Sequence, residues 1–358
     1  MMKAIKKGAI VIILLLSLLT SCFRDDAKTA TGEYRIDSVK IYQNTPVWEL
    51  AQAVKSQNTR KISSIAKDSP DILNYQDPVY GTTLLFWAVG MEKYKSAEAL
   101  LKAGADPDII STYEGGTALY RAAGYSFIDT QAKKDPKYVK LLLEYGADPN
   151  IGYVGGHNSQ ITEINGIPVV DATEIGTTPL MQSIGCGIEK TKALVEAGAD
   201  IDTKTEKTEM TAASTALLSG VMSDARETAH YLIVEKKADI TQPYYLSGKY
   251  NIAQQNSNDQ FFPVDLLRDW ISELDSEEYQ LKMEIVEEFA RQGEDYWVTE
   301  IPQKRLEQIQ KLYPDTWEEY ILKGINRNEE QVILSYMHMS GWAIESGAPI
   351  VMLLKSAR

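Results

Sequence analysis

Three phrases far apart in the chain share one ending: Leu101-Lys-Ala-Gly-Ala-Asp-Pro-Asp108, Leu143-Glu-Tyr-Gly-Ala-Asp-Pro-Asn150 and Val195-Glu-Ala-Gly-Ala-Asp-Ile-Asp202. A fourth, Val234-Glu-Lys-Lys-Ala-Asp-Ile240, has Lys237 in place of the glycine. Glycine at such a point closes a helix, because it enters the left-handed region that other residues resist. Each ending pairs with an earlier start: Gly81-Thr-Thr-Leu-Leu-Phe-Trp-Ala-Val89, Gly115-Gly-Thr-Ala-Leu-Tyr-Arg-Ala-Ala123 and Gly176-Thr-Thr-Pro-Leu-Met-Gln-Ser-Ile184. Weaker starts are Thr45-Pro-Val-Trp-Glu-Leu-Ala51, Thr211-Ala-Ala-Ser-Thr-Ala216 and Phe262-Pro-Val-Asp-Leu-Leu267. Threonine caps a helix, proline suits its first turn, and small residues let helices stack closely. The Thr position falls at 45, 83, 117, 178, 211 and 262, with Phe at the last. A chain with this period folds as a stack of helix pairs.

The starts and endings together resemble the ankyrin repeat, whose period is about 33 residues. The resemblance covers about residues 45 to 295, and the last copy closes in Gln292-Gly-Glu-Asp295. Two intervals exceed the period, by about 28 and 18 residues, and mark insertions. The implied fold is an all-α repeat solenoid: an ankyrin-type helix-turn-helix stack with β-hairpin fingers and a helical C-terminal cap. It implies an ankyrin-repeat domain over residues 45–298, with about six units and insertions near 151–175 and 243–261. Residues 299–358 would form the cap. Arg305 to Leu312 and Trp317 to Leu322 have helical spacing, and Ile350 to Leu354 suits a strand.

Lys3, Lys6 and Lys7 precede an apolar run from Ala9 to Leu19, which reads as a secretory signal rather than a span. Leu19-Thr20-Ser21-Cys22 resembles the bacterial lipobox. That resemblance implies a signal peptide over 1–21, lipid on Cys22, and attachment to the outer membrane on the periplasmic side, since Phe23 is not the aspartate of inner-membrane retention. Residues 22–44 read as a flexible tether. With Cys22 lipidated, Cys186 has no disulfide partner, so packing alone must hold the fold.

The formal net charge of −13 excludes the basic face that nucleic-acid binding needs. Loss of the three signal lysines takes it to −16. Such a surface favours a basic partner, although acidity also serves solubility alone. No phosphate loop, nucleophile elbow or His-Glu-x-x-His occurs, and His157, His230 and His338 lack metal-ligand spacing. The expectation is therefore a non-enzyme without cofactor or metal.

Ankyrin proteins bind through the fingers and the positions after the Ala-Ala pair. Carried over, these give Val79, Tyr80, Thr82, Tyr113, Glu114, Glu174, Thr177 and Lys207 in the fingers, and Gly90, Met91, Gly124, Tyr125, Gly185 and Cys186 beyond the pair. The tyrosines suit either binding or packing against the next finger. Within the first insertion, Ile161 to Ile164 and Ile167 to Val170 flank Asn165-Gly166, the dipeptide of a tight hairpin. Tyr153, His157, Glu163 and Asn165 complete the candidate partner-binding set, on a long finger that is either a clamp or a tolerated insertion. The second insertion, rich in Asn, Gln and Ser, reads as a loose loop. The resulting reading is a monomeric, lipid-anchored module that binds a protein with a basic surface, most like the immunity proteins that block toxic effector enzymes. The alternatives are an assembly factor that scaffolds envelope proteins, and an enzyme with its activity in the C-terminal tail.

Overall fold

The computed structural model describes residues 28–29, 32–126, 128, 134–156, 162–164, 167–169, 173–220, 223–245, 260–274, 276–299 and 301–322. The signal and lipobox, His157, Asn165 and residues 323–358 lie outside them. The chain divides into two compact units, one formed by residues 1–182 with 196–198, the other by residues 183–195 with 199–358.

The first unit contains three complete helix pairs: α1 (Trp48–Lys55) with α2 (Thr59–Asp68), α3 (Leu84–Gly90) with α4 (Tyr94–Lys102), and α5 (Ala118–Ala123) with α6 (Lys137–Glu144). The inner helices stack in the order α1, α3, α5 and then α7 (Pro179–Gln182), and the outer helices stack as α2, α4, α6. The core follows from the repeat. Leu85, Leu119 and Leu180 occupy one repeat position and are buried, as are Leu100 and Leu142 on the outer helices.

The threonines start the inner helices as the pattern requires. Thr83, Thr117 and Thr178 Oγ1 accept from the backbone N–H three residues on, at 3.1, 3.1 and 3.3 Å. The glycines end the outer ones: Gly104 and Gly146 have φ of +98° and +86°. The alanine that follows each donates back to Leu100 O or Leu142 O, both at 3.0 Å.

The second unit holds α8 (Ile188–Glu196), then α9 (Ala212–Leu218) packed on α10 (Ser223–His230). Thr211 caps α9 in a reciprocal box with Ser214. One wide π turn, Tyr231–Glu235, follows α10. Ala238 N consequently reaches back six residues to Leu232 O rather than five, and Lys237 takes the left-handed position at φ +62°. α11 (Pro263–Leu266) stacks on α9, and α12 (Glu277–Arg291) packs against α10. Helices α13 (Gln303–Leu312) and α14 (Trp317–Leu322) follow. Ile309, Tyr320 and Ile321 are buried, and Tyr320 Oη donates to Ser272 O at 2.9 Å. These two helices coincide with the helical spacing of the sequence, while the rest of the expected cap lies beyond the described residues.

Three expectations change. The tether does not run to residue 44. Val39–Tyr42 forms a 3-10 turn that buries Val39, Ile41 and Tyr42, and Tyr42 Oη donates to Thr82 O at 3.0 Å. The fingers within repeats are tight turns rather than two-stranded hairpins; among the described residues their ladder contact is the single bridge Gln76↔Thr83. The second insertion is closed at its base, where β3 (Tyr244–Tyr245) pairs antiparallel with β4 (Gln260–Phe261).

Candidate protein interface

Each finger is a six-residue turn held by a polar side chain at its first position. Asp77 N donates to Thr82 O at 3.1 Å, Ser111 N to Gly116 O at 3.0 Å and Thr205 N to Met210 O at 3.0 Å. The Asp77 carboxylate accepts from Val79 N at 3.0 Å, Tyr80 N at 2.8 Å and Thr82 N at 2.7 Å. Burial nonetheless pushes its pKa up, against those three donors. Ser111 Oγ accepts from Glu114 N at 3.3 Å, and Thr205 Oγ1 from Met210 N at 3.1 Å.

Neighbouring fingers of the first unit are joined by backbone. Tyr113 N donates to Tyr80 O at 3.0 Å and Val154 N to Gly115 O at 2.9 Å. Tyr153 N then donates to Thr177 O at 2.8 Å, and Gly176 N to Tyr153 O at 2.9 Å. Close approach is built in. A Cβ on Gly156 would lie 2.2 Å from Tyr113 O, and one on Gly115, at φ +72°, would lie 2.5 Å from the Tyr153 ring. The first insertion therefore leaves and re-enters the stack at a fixed place. Beyond it, β1 (Thr162–Ile164) pairs antiparallel with β2 (Ile167–Val169), Ile164 opposite Ile167 and Glu163 opposite Pro168.

Several residues assigned to partner contact are instead packed inside. Tyr80 is buried, its ring edge-on to Tyr113 at 4.9 Å and its hydroxyl donating to Tyr34 O at 2.7 Å. Tyr153 is buried, stacked 5.9 Å from Tyr120, and its hydroxyl accepts from Gly156 N at 3.0 Å. Cys186, in the second unit, is buried. The Tyr80 and Tyr153 rings pack on tyrosines of neighbouring segments, which leaves them little surface to offer a partner.

Others sit at the surface. Tyr125 is 42% exposed, Tyr113, Glu114 and Glu174 are half-buried, and Lys207 is exposed in the second unit. Val79, in the finger that begins at Asp77, adds apolar surface at 47% exposed, and so do two residues that the sequence reading did not select, Val154 and Ile175 at the base of the insertion, 52% and 37%. Along the inner helices, Trp87, Arg121 and Gln182 occupy one repeat position, four residues after the capping threonine. Tyr120 Oη donates to Gln182 Oε1 at 3.2 Å, and Arg121 Nη1 donates to Tyr125 O at 2.9 Å. Burial lowers the Arg121 pKa, and Glu114 and Glu92 act against it. Among the described residues, Trp87 Nε1 is the buried side-chain polar atom without a hydrogen-bond partner. That shared offset is the signal that would have found this row.

Among the described residues no group of three or more His, Cys, Asp or Glu side chains is arranged to hold a metal ion. No described helix is long and apolar enough to cross a membrane. No curated protein matches the chain. Residues 80–112, from Tyr80 through α3 and α4 to Thr112, match the family model of the ankyrin repeat.

Proposed function

We propose that the protein is a lipid-anchored periplasmic binding module that holds a basic protein, an effector-type enzyme, on the finger side of its first unit. The observation that carries this reading is the row Val79, Tyr113, Val154 and Ile175, apolar side chains wholly or partly accessible on backbone fixed by inter-finger hydrogen bonds. Ordered apolar surface rimmed by polar groups is what a protein partner desolvates. Glu114 and Glu174 adjoin Tyr113 and Ile175 in the chain, and the chain as a whole is strongly acidic. Charge of this sign steers and orients a basic partner. Ankyrin repeats are interaction modules without catalytic chemistry. The immunity role and the anchor at Cys22 rest on resemblance in sequence.

The test uses residues 27–358 as bait on secreted and envelope proteins of the same strain, washed in parallel at low and high salt. One stoichiometric basic hydrolase, retained by the wild type and lost by Val154→Ser with Ile175→Ser, supports the reading. Weak retention of several resident envelope proteins favours a scaffold instead. An effector retained equally by that double variant places contact elsewhere and sinks the assignment of this surface.

A further inference from the structure

The second unit buries two cations that make no ion pair among the described residues. Arg268, at the end of the α11 segment, donates from Nε to Thr299 Oγ1 at 2.8 Å and from Nη2 to Tyr296 O at 2.7 Å and Thr299 O at 3.2 Å. Its guanidinium lies 3.9 Å from the Tyr296 ring centroid. Lys282, on α12, is 4% exposed and donates from Nζ to Trp270 O at 2.8 Å. A third cation, Arg226, is matched by Glu278 at 2.5 Å. The hydrogen-bond partners of both are neutral, while Asp265 and Asp295 act on Arg268 from beyond ion-pair distance. Two buried charges of one sign whose direct partners are neutral are costly, and the cost falls if negative charge is brought closer or a proton leaves.

Both cations line one cleft, with Trp270, Tyr279, Tyr296 and Tyr320 among its walls, and among the described residues its lining includes no carboxylate. Its volume is ≈ 20 Å³. That is room for a ligand of a few atoms at most. The surroundings respond to the unmatched positive charge. Burial raises the Tyr296 pKa, but Lys282 and Arg268 more than offset this and leave it lowered. Burial lowers that of Lys282; Tyr296 acts against this, and Arg268 and Arg226 add to it.

We propose that this cleft binds one small monovalent anion, of the size of chloride or formate, between Arg268 and Lys282. The anion accepts from the ammonium, whose described partners use two of its three N–H groups. It completes the packing of α11, α12 and α13 at the end of the second unit.

The experiment is a titration of the line width of ³⁵Cl in solution with residues 27–358, paired with thermal unfolding in sodium chloride against sodium gluconate at matched ionic strength. Saturable broadening, reversed by formate, with a saturable rise in Tm in chloride, is the expected result. Lys282→Met keeps the volume and removes the charge, and weakens chloride binding by about tenfold or more, the loss of one charge-assisted bond. Since that variant removes a buried group and can fail to fold, formate competition on the wild type decides the matter without it. Absence of saturable broadening overturns the proposal. So does chloride dependence that arises only in Asp265→Asn, which would show Asp265 to be the counter-charge.

Discussion

Lys237 is a lysine doing a glycine's work, and its replacement tests the account of how the repeats close. The other endings put glycine at this position, while Lys237 sits there at φ +62°. An L-residue pays about 1–2 kcal/mol in this conformation. Glycine removes that strain but gives back roughly 0.5–1 kcal/mol in unfolded-chain entropy. Lys237 Nζ also holds Glu288 at 2.7 Å, but its side chain is 56% exposed, and Glu288 keeps Arg291 at 2.8 Å. Glu288 itself is buried, but with Lys237 in solvent and Arg291 still in place the loss of this pair costs about 1 kcal/mol. Lys237→Gly and Lys237→Ala both lose that pair, so their difference isolates the backbone. The glycine variant should be the more stable by about 0.5–1 kcal/mol, roughly 1–4 °C in Tm for a unit of this size. Lys236 supplies the control. It precedes the turn at φ −97°, where alanine should beat glycine by up to about 1 kcal/mol. Thermal unfolding followed by circular dichroism reads all four variants. If the order of Ala and Gly is the same at 236 and 237, the left-handed strain is not what distinguishes this ending.

Thr117→Ala removes the cap from α5 and should cost about 1–2 kcal/mol in urea unfolding, against less than about 0.5 kcal/mol for exposed Ser63→Ala; equal costs would refute the capping role. Gly220→Ala places a Cβ 1.9 Å from the Trp270 ring, whose Nε1 donates to Leu217 O at 2.8 Å. It should cost about 1–3 kcal/mol and break that hydrogen bond, seen as a shift in tryptophan emission. Asp77 titrates with its pKa raised by burial, so the folded state holds its proton to a higher pH than the unfolded chain does. Its favourable contribution is complete below the ordinary value of 3.8 and fades as pH rises through the folded pKa. The wild type should therefore gain Tm relative to Asp77→Asn as pH falls from 7 towards 4, and a loss over that range would contradict the sign.

What could be read from the sequence was what is decided within a few residues. Thr83, Thr117, Thr178 and Thr211 cap helices because each bonds a backbone N–H three residues away, and Gly104 and Gly146 close them by their own φ. Phe262 has no hydroxyl to cap with, and there Pro263 alone marks the start of α11. Burial was not legible in the same way, because it depends on residues a repeat away. Tyr153 is buried because Gly115, 38 residues earlier, leaves room for its ring. Tyr80 is tied down by Tyr34, outside the repeats altogether. Val39, Ile41 and Tyr42 were passed over in a segment read by its polar composition, yet three apolar residues in four made a turn with one side to bury.

The first insertion shows why length alone is a poor guide to function. Its base is closed by Tyr153 N to Thr177 O and Gly176 N to Tyr153 O, so the chain between begins and ends at neighbouring points. Once a gap is closed in this way, doubling the loop adds only about 0.6 kcal/mol of closure entropy. The insertion can therefore grow at little cost to the stack, and its presence does not by itself argue for use. The exposed groups at its root do. Val154 and Ile175 stand on backbone that the fold already pays to order, so a partner covering them gains apolar burial without ordering a loop. Replacing 157–172 by a short Gly-Ser turn keeps that root intact, whereas Val154→Ser with Ile175→Ser keeps the insertion and spoils the root. A partner that survives the first change and not the second recognises the rigid row of fingers, with the hairpin as its variable extension.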